Sequence, residues 1–290
     1  MNSMFTVMRK NSTTAGTNYG AADVKIRAIL KSLYTNSANG GNHSAGVAVV
    51  NSKPSYASMY VKPGNIKVFK SLDDPEIFVK GPGYVNLLNE MSCNTTAFLG
   101  KVTNHGRRKA ATRDTQPFVH GDVVGVVSGF VKNAHTLAKK HGIALKSSDS
   151  TEIIVALINK SVKEDKLSLK MAVKKMSFEV EGSYAGTVSS TAEYGLVIAF
   201  RKDRPLYTRY RKIGGVLFIS DSLELIYKAY EAAQWDESNS KLFVDMSELI
   251  VPERTGLLLD PNTLSYDNGW VEKNVGFLLC RNEPNQTVSG

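Results

Sequence analysis

Residues 116–133 read QPFVHGDVVGVVSGFVKN. At its centre, DVVGVVSG is a valine-rich run of strand type, and two helical segments follow it. KNAHTLAKKHG ends at Gly142, a helix stop. SDSTEIIVALINKSV is a second helix, with a cap among Ser147, Ser148 and Asp149. Upstream, TAFLGKV reads as another strand. SAGVAVV, fed by the glycine-rich turn NGGN, is a buried strand of valine and alanine, and a less regular stretch separates the two. Before them, ADVKIRAILKSL carries Ile26, Ile29, Leu30 and Leu33 as one helical stripe. Asp23 stands near its start, where a carboxylate suits the helix dipole. The chain opens on MFTVM, a short β-like run.

Downstream the pattern changes. YAGTVSS, YGLVIAFRK, RPLYTRYRK and GGVLFISD are strands punctuated by Gly, Pro and charged turns, which predicts an antiparallel meander. SLELIYKAYEAA is a helix, and LFVDM and TGLLLD are strands. No linker and no internal repeat interrupts the series. Strands, helices, strands and one more helix predict an α+β single domain over residues 1–280. RNEPNQTVSG, over 281–290, reads as a flexible tail.

Composition narrows the function classes. Hydrophobic residues make up 42% of the 290 and charged residues 22%, which suits a soluble globular core. The first thirty residues are too polar for a signal peptide, and no run of eighteen apolar residues predicts a membrane span. Cys93 and Cys280 cannot form a disulfide framework and fit a reducing compartment, the cytoplasm. Asn-X-Ser/Thr matches at Asn11, Asn42, Asn94 and Asn285 are chance matches without a secretory signal. His43, His105, His120, His135 and His141 lack zinc-ligand spacing, so neither a metal nor a cofactor is expected. The net charge of +9 makes nucleic acid a candidate partner. The basic residues are dispersed, however, with short clusters only at GRRKAATR (106–113) and RYRK (209–212). A solvated basic surface is the better reading.

Taken in order, the segments resemble the glutaminase domain of class II glutamine amidotransferases, of the N-terminal-nucleophile hydrolase superfamily. MNSMFTV resembles the family opening Met-Cys-Gly-Ile-Phe-Gly, and GGNHSAGVAVV its Arg-Gly-Tyr-Asp-Ser-Ala-Gly-Val-Ala-Val. LGKVTNHG stands where Gly-His-Thr-Arg-Trp-Ala-Thr is expected. QPFVHGDVVGVVSGFVKN follows His-Pro-Phe, a strand, then His-Asn-Gly-Ile-Ile-Glu-Asn. SDSTEIIVALI lies beside the Asp-Thr-Glu-Val-Ile helix. GSYAGTV, IAFRKDRPL and FISDSLELI resemble the Gly-Ala-Tyr, Ala-Arg-x-x-x-Pro-Leu and Ala-Ser-Asp stretches. No piece is specific alone; the ordered series over about 260 residues is. The resemblance implies four layers, αββα, with two antiparallel sheets stacked between helices.

It also implies chemistry that this chain lacks. In the family an amino-terminal cysteine attacks the glutamine carboxamide while its own α-amine handles the proton. Here Asn2 holds that position and has no comparable nucleophile. Asparagine also disfavours methionine removal, so Met1 is expected to mask the amine. In serine proteases such a loss lowers turnover on the order of 10⁶-fold. The arginine that grips the substrate carboxylate falls on Thr103, which cannot form a bidentate pair. The oxyanion-hole asparagine falls on Ser128, a donor of shorter reach, and losing one such donor lowers rates roughly 10²–10³-fold. Gly129 is retained and offers its backbone N–H. The aspartate that receives the substrate amine maps to Ser150 by counting back from Glu152, or to Asp149 with a one-residue bulge.

Ser3 or Thr6 after cleavage, or Cys93, are the other conceivable nucleophiles. A catalytically degenerate protein that binds another protein is therefore expected. A divergent amidohydrolase and a basic nucleic-acid-binding protein are the alternatives. The chain ends soon after the glutaminase-like region, so any transfer reaction would need a separate partner. Stand-alone chains of this kind are common among bacteriophages, which leaves a place in an infected host cell or a virus particle open.

Overall fold

The computed structural model describes residues 3–9, 19–38, 43–51, 66–92, 94–106, 111–193, 195–211, 215–234, 246–250, 255–259 and 276–279. Strand β1 (Ser3–Arg9) is buried along its whole length. Phe5 and Val7 enter one core while Met4 and Met8 enter another. A strand apolar on both faces must sit inside a sheet that is itself covered on both sides, and β1 does.

Helix α1 (Tyr19–Asn36) follows, then β2 (His43–Asn51), β3 (Ile66–Ser71), α2 (Pro75–Phe78), α3 (Pro82–Asn89) and β4 (Thr95–Asn104). The middle of the chain supplies β5 (Phe118–His120), β6 (Val123–Val131), α4 (Ala134–His141), α5 (Glu152–Lys163) and α6 (Leu169–Glu179). The rest holds β7 (Gly182–Ser190), β8 (Val197–Lys202), β9 (Tyr207–Arg211), β10 (Val216–Ser220), α7 (Leu223–Ala232), β11 (Met246–Ile250), β12 (Thr255–Leu259) and β13 (Gly276–Leu279).

Among the described residues two sheets form, with orders β11-β9-β10-β1-β4-β2-β3 and β13-β12-β8-β7-β6-β5. Every pairing in both is antiparallel. Three hydrophobic cores separate the layers. One joins the first sheet to α1, α2, α3 and α7, with Ile26, Ile29, Leu30 and Leu33 in it. A second lies between the sheets. The third joins the second sheet to α4, α5 and α6. The architecture is the expected α+β sandwich of two antiparallel sheets between helices.

Several local expectations change. The meander breaks between β8 and β9, which lie in different sheets. The same Asp-Arg-Pro turn chemistry serves a hairpin or a crossover, so sequence does not separate them. Helix α6 was not anticipated, although Leu169, Ala172, Val173 and Met176 make a buried stripe and the Ser168 hydroxyl accepts from Met171 N. Elements β3, α2 and α3 occupy the stretch that reads as irregular. Asp23 lies beyond the first turn of α1, which begins at Tyr19, and its carboxylate pairs with Arg9 at 2.5 Å. The α5 cap position falls on Thr151, whose N–H donates to Asp149 Oδ1 at 2.9 Å. Gly142 does end α4, in the left-handed region at φ 62°. Most of LFVDM, the NGGN turn and the 281–290 tail lie outside the described residues.

Candidate functional site

Strand alternation decides which side chains meet between the sheets. On β4, Ala97 and Leu99 point into the inter-sheet core, so Lys101 and Thr103 continue that face. On β6, Val124 and Val126 do the same, and Ser128 extends their row. In register, Met4 opposes Lys101, Ser44 opposes Thr103, and Ser128 opposes Ala185.

One carboxylate ties the two sheets together at this end. Asp221, immediately after β10, accepts Met4 N–H on Oδ1 at 3.1 Å and the Ser128 hydroxyl on Oδ2 at 2.7 Å. Its side chain is 5% exposed, and Arg204 Nη2 lies 3.9 Å away. Ser220 adds a further tie by donating to Met4 O at 2.9 Å. The start of β1 and Ser128 therefore share one acceptor. Asn2 itself lies outside the described residues, as does Cys93.

Gln116 is a second hub. Its Oε1 accepts Val127 N–H at 2.7 Å, while Nε2 donates to Val127 O at 2.8 Å and Asp149 Oδ2 at 2.9 Å. This close seat depends on Gly46, where a Cβ would fall 2.1 Å from Gln116 O. Asp149 also accepts from the Thr151 hydroxyl at 2.7 Å. Ser150 turns elsewhere and accepts Val131 N–H at 3.0 Å. Of the two candidate positions, Asp149 is thus the one that reaches the Gln116 hub.

Lys101 Nζ donates to the same Val127 carbonyl at 3.2 Å. Burial pushes its ammonium down to about 8, against the opposing pull of Asp221 and Asp149. Thr103 Oγ1 is buried with no hydrogen-bond partner among the described residues. Next to it in register, Ser44 Oγ lies 2.7 Å from His105 Nε2, and burial lowers the His105 pKa. Gly129 adopts φ 117°, and a Cβ there would stand 2.1 Å from Ser183 O, so only glycine fits.

Ser3 begins β1 at 5% exposure, and Thr6 is fully buried with its hydroxyl 2.6 Å from that of Thr187. A cut before Thr6 would remove Met4 and Phe5 from two cores. Sequence reasoning missed Asp221, Lys101 and Gln116. A charged residue inside the apolar run TAFLGKV was the available signal for Lys101. The basic cluster at 209–212 is partly committed: Arg209 stacks on Tyr227 at 4.1 Å and Arg211 is buried. Among the described residues no group of three or more His, Cys, Asp or Glu could hold a metal. No helix of theirs is long and apolar enough to cross a membrane.

In sequence the chain is similar to class II glutamine amidotransferases, and its two stacked antiparallel sheets between helices are of the N-terminal-nucleophile type. The chain is 28% identical over 209 residues to the glutamine–fructose-6-phosphate aminotransferase (isomerizing) of Methanosarcina mazei, covering 66% of this chain and 29% of that enzyme. It is 30% identical over 139 residues to the same enzyme of Methanosarcina acetivorans, covering 42% and 22%. The chain thus spans less than a third of the length of these curated relatives. No family model matches it. In fold it is similar to the glutamine phosphoribosylpyrophosphate amidotransferase from B. subtilis, with a TM-score of 0.51 and 14% identity over 89% of this chain and 47% of that one. A chain described as the allosteric regulatory enzyme of purine biosynthesis gives a TM-score of 0.56 at the same identity and coverage.

Proposed function

We propose that this glutaminase-like domain does not hydrolyse glutamine and acts by binding another protein, in a reducing compartment such as the cytoplasm. The observation that carries the reading is the hydrogen bond from Ser128 to Asp221 at 2.7 Å. A serine hydroxyl has one proton to donate. Here that proton is directed at a buried carboxylate, so it is not available to a developing oxyanion. The same carboxylate would repel that oxyanion in a site of low dielectric. Two further features point the same way. Thr103 provides no cation for a substrate carboxylate, and Asn2 provides no thiol. The direct test is ammonia release from glutamine by the purified chain, with intact mass recorded to define its amino terminus. Background release is expected. Release that is saturable in glutamine and abolished by one substitution at Ser3, Ser128 or Cys93 would defeat the reading.

A further inference from the structure

Resting on the reading of the chain as an interaction protein, we propose that the outer face of α6 docks an acidic amphipathic helix of a partner protein. The inward stripe of α6, Leu169, Ala172, Val173 and Met176, is buried against the second sheet. The outward stripe nevertheless carries two large apolar side chains, Met171 at 46% and Phe178 at 56% exposure. They stand two turns apart, roughly 10 Å along the helix axis. Lys170 and Lys174, on the same helix, flank that stripe.

Charge complementarity selects the occupant. Between Glu152 and Glu179 every carboxylate already has a basic partner. Glu152 pairs with His120, Glu164 with Lys160, Asp165 with Lys175, and Glu179 with both Lys140 and His141. No described carboxylate pairs with Lys170 or Lys174, so two uncommitted cations flank the two apolar side chains. The complement is a helix with apolar residues at heptad spacing and flanking Glu or Asp. A bilayer is the poorer match. Interfacial helices present a broad apolar face, and that of α6 is already turned inward.

The probe is a labelled 21-residue helical peptide with Leu at heptad positions and Glu on either side, titrated with the full chain by fluorescence anisotropy. Wild type should bind it. Phe178→Ala should weaken binding about tenfold, as expected of an aromatic anchor. Lys170→Glu with Lys174→Glu should abolish binding. All three substituted side chains are surface groups, and circular dichroism checks that the fold is kept. Binding that is unchanged in Phe178→Ala but lost on charge reversal would mean a generic polyanion surface and would overturn the proposal. Tighter binding of anionic vesicles or duplex DNA than of the peptide would overturn it too. Ammonia release from the same samples is scored separately. Turnover would defeat the reading of the cleft and leave the peptide result to decide the surface.

Discussion

Lys101 is the residue whose cost can be stated most directly. Burial lowers its pKa from 10.5 to about 8. At roughly 1.4 kcal/mol per unit, carrying this charge opposes folding by about 3 kcal/mol below pH 8. The unfolded chain binds more protons than the folded one between pH 8 and 10.5, so stability rises with pH across that window. The buried Tyr34 and Tyr84 shift upward. The unfolded chain therefore ionises first above about pH 10, and stability falls again. Lys101→Met should be more stable than wild type at pH 7 by roughly 1–3 kcal/mol. The gap should close toward pH 10, as urea unfolding at a series of pH values can check.

Repair of the cleft is a second experiment at this scale. Asn2→Cys should create an alkylatable thiol while glutamine turnover stays near background. Thr103→Arg and Ser128→Asn should help more together than singly, because such groups act as a unit. Family-like rates from Asn2→Cys alone would mean that the Ser128–Asp221 contact does not block the site.

At the scale of elements, two glycines with positive φ should behave differently. Gly142 ends α4 with nothing within 4 Å of an added Cβ. Alanine there should lower stability only by the left-handed backbone strain, about 1 kcal/mol. Gly129 lies within β6 where a Cβ would collide with the Ser183 carbonyl of the adjacent strand. Alanine there should be worse by a further 1–3 kcal/mol or so, and it should disturb Ser128 as well. Thermal melts of the two variants provide the comparison. The contrast also explains what was legible. Gly142 punctuates a helix in plain sequence, whereas the demand on Gly129 comes from a strand fifty residues away in the chain. Asp221 stayed hidden for the same reason. Nothing in FISDS marks a carboxylate that reaches back to the first strand, because that contact exists only once the sheets have stacked.

For the whole molecule, the inter-sheet layer holds the test of cohesion. Thr6 and Thr187 come from different sheets and share one hydroxyl contact at 2.6 Å with no exposure to water. Changing either to valine should strand the other hydroxyl and cost about 1–3 kcal/mol. The double change should cost less than the sum, and a double-mutant cycle by chemical unfolding reads the difference. The α+β class was readable from the succession of strands and helices, and the layer order from the family resemblance. The placement of β8 and β9 in separate sheets was not, since local turn chemistry carries no information about which sheet the next strand joins.

The central place of β1 has a consequence for biosynthesis. Its neighbours are β4 and β10, and the Met4–Asp221 contact spans 217 residues of chain. Contacts of such long range form slowly, and β1 cannot gain its second neighbour until β10 has emerged from the ribosome. Throughout that interval MFTVM, apolar on both faces, has no permanent partner on one edge. A chaperone or protease that surveys the nascent chain would find this segment half-paired, and truncation between β4 and Ser220 should leave it as the seed of aggregation.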